Sequence, residues 1–369
     1  MPDSALAKIA AAFMEITSVI DTAPYEFSEE ISSKENPYHW QQPCCTELEA
    51  LKLHQNLSFE ESVDVERKVL NTYLGIPWAS FIDKKWYLGE LVNALKPRIA
   101  EYKTLVRKYG YTLRVHSVCQ SIHWRRYLDH MGNIGITDLH ASHYSEVIPR
   151  NENAWNIKMH SWHLYAVNVE DEKRNENISF KEPDSPLLAS FRGASMPHYL
   201  SDVRLLLVNA VKKDKFRDDV VVELNDEWHF NNDVFGRQVG ALKDTAHRHK
   251  PSNNDIHIYN DLLCRSVFSL CPEGAGINTI RLWESLAVGA IPVLILGKPH
   301  VPMLFKLHPE LYKCCVVFFR DDVVDIFRHL RNISKDTITR KKKLCRKVYL
   351  EIKKQTTFEN QYNNILETL

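Results

Sequence analysis

Residues 269–296 read Ser-Leu-Cys-Pro-Glu-Gly-Ala-Gly-Ile-Asn-Thr-Ile-Arg-Leu-Trp-Glu-Ser-Leu-Ala-Val-Gly-Ala-Ile-Pro-Val-Leu-Ile-Leu. The apolar run Val267–Cys271 at its head has the length and bulk of a buried strand. The loop that follows carries Gly274 and Gly276, a helix is expected over Asn278–Val288, and a second apolar strand follows at Ile291–Ile295. A strand, a glycine loop, a helix and a strand form the repeating unit of a parallel sheet, because parallel strands need a crossover. Glycines allow the backbone to approach a ligand, and the free N–H groups at a helix start favour an anion. Asn278 and Thr279 open this helix. Arg281 in its first turn offers a charge-assisted contact, and Glu284 lies one turn on, placed for ribose hydroxyls. The same spacing also fits an ordinary turn capping a Rossmann helix, with Arg281 and Glu284 as a surface ion pair.

Working outward, the alternation continues. Leu188–Phe191, Val220–Leu224 and Cys315–Phe319 read as strands. Asp202–Lys213, Asp233–Lys243 and Ile256–Cys264 read as helices, with two further helices toward the end. This predicts a doubly wound parallel α/β lobe over residues 187–345, closed by a C-terminal helix over 346–369. The charged stretch Glu170–Pro186 reads as a linker. Residues 1–180 then form a first α/β lobe, with a helix over Tyr87–Tyr109 and strands at Tyr111–Cys119, Ile134–Ala141 and Leu164–Val169. Residues 22–60, with three prolines, read as an irregular surface connection. Leu6, Ile9, Phe13, Ile16 and Ile20 have helical spacing, and Lys8 and Glu15 interrupt what would otherwise resemble a signal peptide.

Forty-seven basic and forty-seven acidic side chains cancel, which argues against a general affinity for nucleic acid. The eight cysteines form no metal-binding spacing, and the adjacent pairs Cys44–Cys45 and Cys314–Cys315 suit no disulfide framework. No run approaches the ~20 apolar residues of a membrane span. A reduced, cytoplasmic protein is expected. The basic stretch Arg340–Lys343 reads as a solvated helix face.

The 271–293 segment resembles the hallmark of the exostosin-type glycosyltransferases: Cys-Pro and glycine ahead of the helix, Arg281 and Glu284 within it, and Gly289-Ala-Ile-Pro-Val293 after it. Ser285 stands where the family usually has alanine, and Ala290 where it usually has cysteine. Gly75-Ile-Pro-Trp-Ala-Ser-Phe-Ile-Asp83 is similar to an early family element. Val118–Trp124 and Gly135–His143 are similar to bacterial and viral members, and Ser190-Phe-Arg-Gly-Ala194 with Ser201-Asp-Val-Arg204 matches the opening of the nucleotide-binding lobe. The resemblance covers about residues 75–296 and is tightest in the second lobe.

It implies a GT-B arrangement of two Rossmann-like lobes with an interdomain active-site cleft. It also implies an inverting, metal-independent transfer from a UDP-sugar to a glycan acceptor, with no cofactor beyond the donor. A retaining transferase and an inactive nucleotide-sugar-binding protein are the alternatives. The sequence has no Asp-x-Asp, and Asp218-Asp219 reads as a turn. Cationic groups must then neutralise the departing diphosphate, and Arg192, Arg204 and Arg281 are the candidates. Arg192 equally fits a role holding a carboxylate. Inversion in one displacement needs a base, expected on a first-lobe loop after a strand. His123, Asp138, His140 and His143 are the candidates, and Trp124, Trp155, Trp162 and His160 offer aromatic faces to a glycan, with core packing the alternative for each tryptophan. The absence of an anchor points to a bacterial cell or a virus-infected host cell.

Overall fold

The computed structural model describes residues 3–27, 45–57, 60–83, 88–145, 153–215, 217–225, 253–299 and 301–355. They fall into two compact units: one reaches Trp162, and the other runs His163–Lys354.

In the first unit the N-terminal periodicity becomes helix α1 (Asp3–Phe27). Part of the 22–60 stretch is a second helix, α2 (Thr46–Gln55), so the expected irregular connection is corrected there. α3 (Trp78–Asp83), α4 (Leu88–Lys108) and α5 (Leu128–Ile134) follow. The strands are β1 (Val63–Asp64), β2 (Val69–Tyr73), β3 (Thr112–Cys119), β4 (Asp138–Ala141) and β5 (Lys158–Ser161). They form a sheet in sequential order, in which only β1 runs antiparallel to its neighbour. Leu91, Leu95, Ile99, Tyr102 and Val106 make an apolar stripe at helical spacing on α4, buried in one core with Ile9, Ile16 and Ile20 of α1.

The second unit holds β6 (Leu187–Ala194), β7 (Val220–Asn225), β8 (Ser266–Pro272), β9 (Ile291–Leu296) and β10 (Val316–Phe319). Its helices are α6 (Val167–Glu170), α7 (Val203–Lys213), α8 (Asn253–Arg265), α9 (Ile280–Val288), α10 (Leu304–Leu307), α11 (Glu310–Cys314), α12 (Ile326–Arg331) and α13 (Lys335–Gln355). The sheet order is β10-β9-β8-β6-β7 with every pair parallel, as the alternation predicts. Pro292 is tolerated inside β9 because pairing with β10 begins only at Val293, so one side of the strand is open where the N–H is missing.

Two expectations need adjusting. The apolar stretch Leu164–Val169 is not a strand: Val169 and Glu170 donate their N–H groups back to the Ala166 carbonyl, closing a helical turn. Leu164 and Ala166 join the second unit's core, so the break falls after Trp162 rather than within the charged stretch Glu170–Pro186. The helix expected over Asp233–Lys243 lies outside the described residues. On α13, the basic stretch is partly engaged. Lys341 binds the Lys313 and Cys315 carbonyls, Lys342 pairs with Glu182, and Arg346 lies over Phe180.

Gly289 ends α9 at φ 85°, its N–H bonded to the Ser285 and Leu286 carbonyls. A Cβ there meets no close atom, so the whole cost of a side chain is backbone strain. Gly289→Ala should lower unfolding stability by about 1 kcal/mol in a urea titration, and Gly289→Asn by less, because asparagine tolerates the left-handed region.

Candidate active site

In the second sheet the strand order reverses between β6 and β8, and open parallel sheets take ligands outside the C-terminal strand ends at such a point. Arg204, in the first turn of α7, spans this point. Its Nε donates to the Glu273 carbonyl (3.0 Å), and its two Nη groups donate to those of Ala194 (2.6 Å) and Pro272 (3.3 Å). Gly274 makes room for it, since a Cβ there would lie 2.9 Å from an Nη atom. Arg281, from the first turn of α9, donates to the Arg192 carbonyl of β6.

Aromatic rings link the two guanidinia. Arg204 lies 4.5 Å from the Tyr199 ring centre and 5.3 Å from that of Phe191, and Arg281 lies 4.9 Å from Phe191 and 4.5 Å from Tyr259. Among the described residues neither arginine makes an ion pair. Burial, aided by the charge of Arg281, draws the pKa of Arg204 down to about 10, which still leaves it cationic at neutral pH. Among the described residues the two cations bond only carbonyls and lie over rings, and Glu273 acts on Arg204 through its charge without pairing with it, which leaves both guanidinia open to an anion carrying more than one charge.

The other donor-side candidates are arranged differently. Arg192 pairs with Glu223 (2.9 Å) and Asp255 (3.0 Å), so the carboxylate-holding alternative is the one observed. Glu284 is 1% exposed and does not pair with Arg281. Its Oε1 accepts the backbone N–H (3.0 Å) and the side-chain amide (2.8 Å) of Asn168, and its Oε2 accepts the Tyr259 hydroxyl. Asn278 accepts the Trp283 indole N–H at 2.9 Å, and Thr279 is the N-cap residue without a side-chain cap bond. Gly276 lends its carbonyl to Gly274 N–H (3.3 Å). Ser285 donates to Ser269 on β8 at 2.7 Å, which accounts for a hydroxyl at a position where the family usually has alanine.

In the first unit, His123 and His143 follow the C-terminal ends of β3 and β4. Edge-on contact of Trp124 with Tyr144, at 6.1 Å, ties the two loops together. His123 is half-buried, and burial together with Arg126 holds its pKa below the usual histidine value. Burial draws His143 further down, to about 4, and its Nδ1 has no partner among the described residues. Asp138 is the first residue of β4, at the opposite strand end from these loops, and is fully buried. Its carboxylate accepts two bonds from Arg114 (one at 3.0 Å) and others from His160 Nε2 (2.8 Å) and Thr137 (2.8 Å). Burial opposes its ionisation, but His160, His116 and Arg114 outweigh that and hold it below the usual carboxylate range. These bonds occupy both carboxylate oxygens, a poor arrangement for a base. Of the candidate acceptor-side tryptophans, Trp124 and Trp162 are buried, and Trp155 is 46% exposed.

Sequence reasoning missed Phe191, Tyr199 and Tyr259, which come from three separate segments. Only Phe191 lay inside a quoted motif. It also missed Glu47, whose partners are 73 and 32 residues away.

No described helix is long and apolar enough to cross a membrane. No curated protein matches the sequence. Among solved structures, an OtsA apo structure is 10% identical and covers 87% of this chain and 75% of its own, at a TM-score of 0.39. A structure described as trehalose-6-phosphate from E. coli bound with UDP-2-fluoro glucose is 11% identical with the same coverages, at 0.38. A DNA-modifying β-glucosyltransferase is 11% identical and covers 75% of this chain and 77% of its own, at 0.31. Likenesses this distant transfer no detail to the present chain. The Exostosin GT47 domain family matches residues 119–318, which include the Arg204 and Arg281 site and both histidine loops. The chain belongs to the Exostosin GT47 family and is a glycosyltransferase.

Proposed function

We propose that the enzyme moves a sugar (xylose, galactose, glucose or glucuronate) from a UDP-sugar to a glycan acceptor, with inversion and without a metal. The observation that carries this reading is the pair of guanidinia that have no carboxylate partner among the described residues, at the β6/β8 strand ends. Arg204 and Arg281 hold the donor's diphosphate, and the negative charge that grows on it as the glycosidic bond breaks is stabilised there. His123 takes the proton from the acceptor hydroxyl as that oxygen attacks the anomeric carbon. Nucleic acid is not among its partners on this reading. The cysteine spacing, with adjacent pairs that suit no disulfide framework, fits a reducing, cytoplasmic setting.

The test uses the purified chain with UDP-xylose, UDP-galactose, UDP-glucose and UDP-glucuronate, following UDP release and product anomericity. UDP should raise Tm, one donor should turn over with inversion, and excess EDTA should leave the rate unchanged. Turnover abolished by EDTA and restored by Mg²⁺ or Mn²⁺ would overturn the metal-free mechanism. A retained anomeric configuration would overturn the single displacement.

A further inference from the structure

Glu47 is a buried acid with no part in the chemistry proposed above. It is 2% exposed and stands at the start of α2, beside the C-terminal ends of β2 and β3. Its Oε1 accepts the backbone N–H of Gln120 at 2.9 Å and that of Ala79 at 3.1 Å, and Oε2 shares the Ala79 N–H at 3.2 Å. Gln120 returns the contact, since its side-chain oxygen accepts the Glu47 backbone N–H at 3.1 Å. Gln120 is the residue immediately after β3, where the chain leaves the sheet toward His123. From there the turn is closed locally, with His123 N–H donating to Ser121 Oγ (3.2 Å) and Trp124 N–H to the Ser121 carbonyl (3.3 Å).

Ala79 belongs to the Ile76-Pro77-Trp78-Ala79 turn, which is anchored separately. The Trp78 indole N–H donates to Ser117 Oγ (2.8 Å), which donates to the Leu74 carbonyl (2.7 Å). One side chain therefore joins three chain segments at a single point, and one of them is the segment that carries His123. A buried carboxyl without a cation partner among the described residues is costly, and the two backbone N–H groups gathered on it are the compensation.

We propose that Glu47 is a positioning residue for sugar transfer, pinning Gln120 and hence the Ser121–His123 turn to the starts of α2 and α3. This rests on the reading of His123 as the base. The protonation of Glu47 gives the clamp a signature of its own. Burial raises its pKa from 4.5 to about 8, against the lowering effect of the two N–H bonds. The titratable groups facing it are Asp83 from α3, whose charge adds to the rise, and the Cys119 thiol at the end of β3, itself pushed up by burial. Below about pH 8 the clamp is neutral, with Oε1 still accepting both N–H groups. Above that pH a buried charge appears near Asp83; the two N–H bonds favour it, but burial outweighs them and draws the carboxylate toward solvent, which loosens the clamp.

The experiment compares Glu47→Gln and Glu47→Ala in the full chain, using UDP release from the active UDP-sugar and UDP as the binding probe. Glu47→Ala should lower kcat at least tenfold while UDP affinity stays unchanged, because the proposed donor contacts all lie in the second unit. Glu47→Gln should retain most of the activity at pH 7, since its amide oxygen accepts both N–H groups. It should also abolish the fall in kcat that the wild type shows as pH rises through about 8. Wild-type kcat in a folded Glu47→Ala protein overturns the proposal, as does a Glu47→Gln profile that keeps the wild-type fall near pH 8. If Glu47→Ala does not fold, the glutamine variant and its pH profile decide alone. Failure of the base reading looks different: His123→Ala stays active while Glu47→Ala does not, and the clamp then positions another residue of that loop.

Discussion

Arg281→Ala is expected to lower kcat by about 10²–10³, the cost typical of removing one preorganised donor from a site where charge develops. UDP affinity should fall far less, because the diphosphate of the bound donor gains its extra charge only as the sugar departs. The structure strengthens this beyond the sequence motif. Arg281 is not spent on Glu284, and among the described residues only one of its nitrogens is engaged, by the Arg192 carbonyl. Its guanidinium is held over Phe191 and Tyr259 and makes no ion pair among the described residues. Arg281→Lys should recover little, since an ammonium reproduces the charge but not the planar fork or its stacking. Glu284→Ala is the contrast. Its oxygens serve Asn168 and Tyr259, so the substitution should lower Tm first, and any change in KM should follow from that. Normal turnover by a folded Arg281→Ala protein would make the arginine a brace between α9 and β6 and nothing more.

The second unit was legible because its signals are local. Each strand carries a short apolar run, the helices have their own periodicity, and Arg204 and Arg281 sit in short motifs, Arg281 just after Gly274 and Gly276. What surrounds those arginines was not legible: Phe191, Tyr199 and Tyr259 converge only after β6, α7 and α8 are folded together. Glu284 shows the same limit from the other side. Helical spacing places it on the face of Arg281, yet Asn168, 116 residues earlier, takes its carboxylate. In the first unit, Asp138 opens a short strand that His143 follows, whereas the apolar pattern starts that strand at Ile134 and so leaves the place of Asp138 along it undecided. The register of β4 against β3 pairs Asp138 with His116, which brings Arg114 onto its carboxylate and leaves His143 beyond the far end. The run Leu164–Val169 is short and apolar, a pattern shared by buried strands and single helical turns. It was settled by which core received Leu164 and Ala166.

His123→Ala should reduce transfer by ~10²–10⁴ and leave UDP binding intact, as loss of a general base does. The imidazole must be neutral to accept the acceptor's proton. Burial, then Arg126, lowers its pKa from 6.5, so the neutral form is already dominant at pH 7. The wild-type rate should therefore rise with pH along a limb centred below 6.5 and flatten above it, until the fall ascribed to Glu47. Removing His123 should erase that limb. Arg126→Gln supplies a check on sign: with one positive neighbour gone, the imidazole protonates more readily and the limb should move toward higher pH. A structural role for His123 predicts neither the lost limb nor its displacement. If His123→Ala transfers sugar normally and His143→Ala does not, the base belongs to the loop after β4. The limb should then lie near pH 4, where burial puts that imidazole, and should not respond to Arg126→Gln.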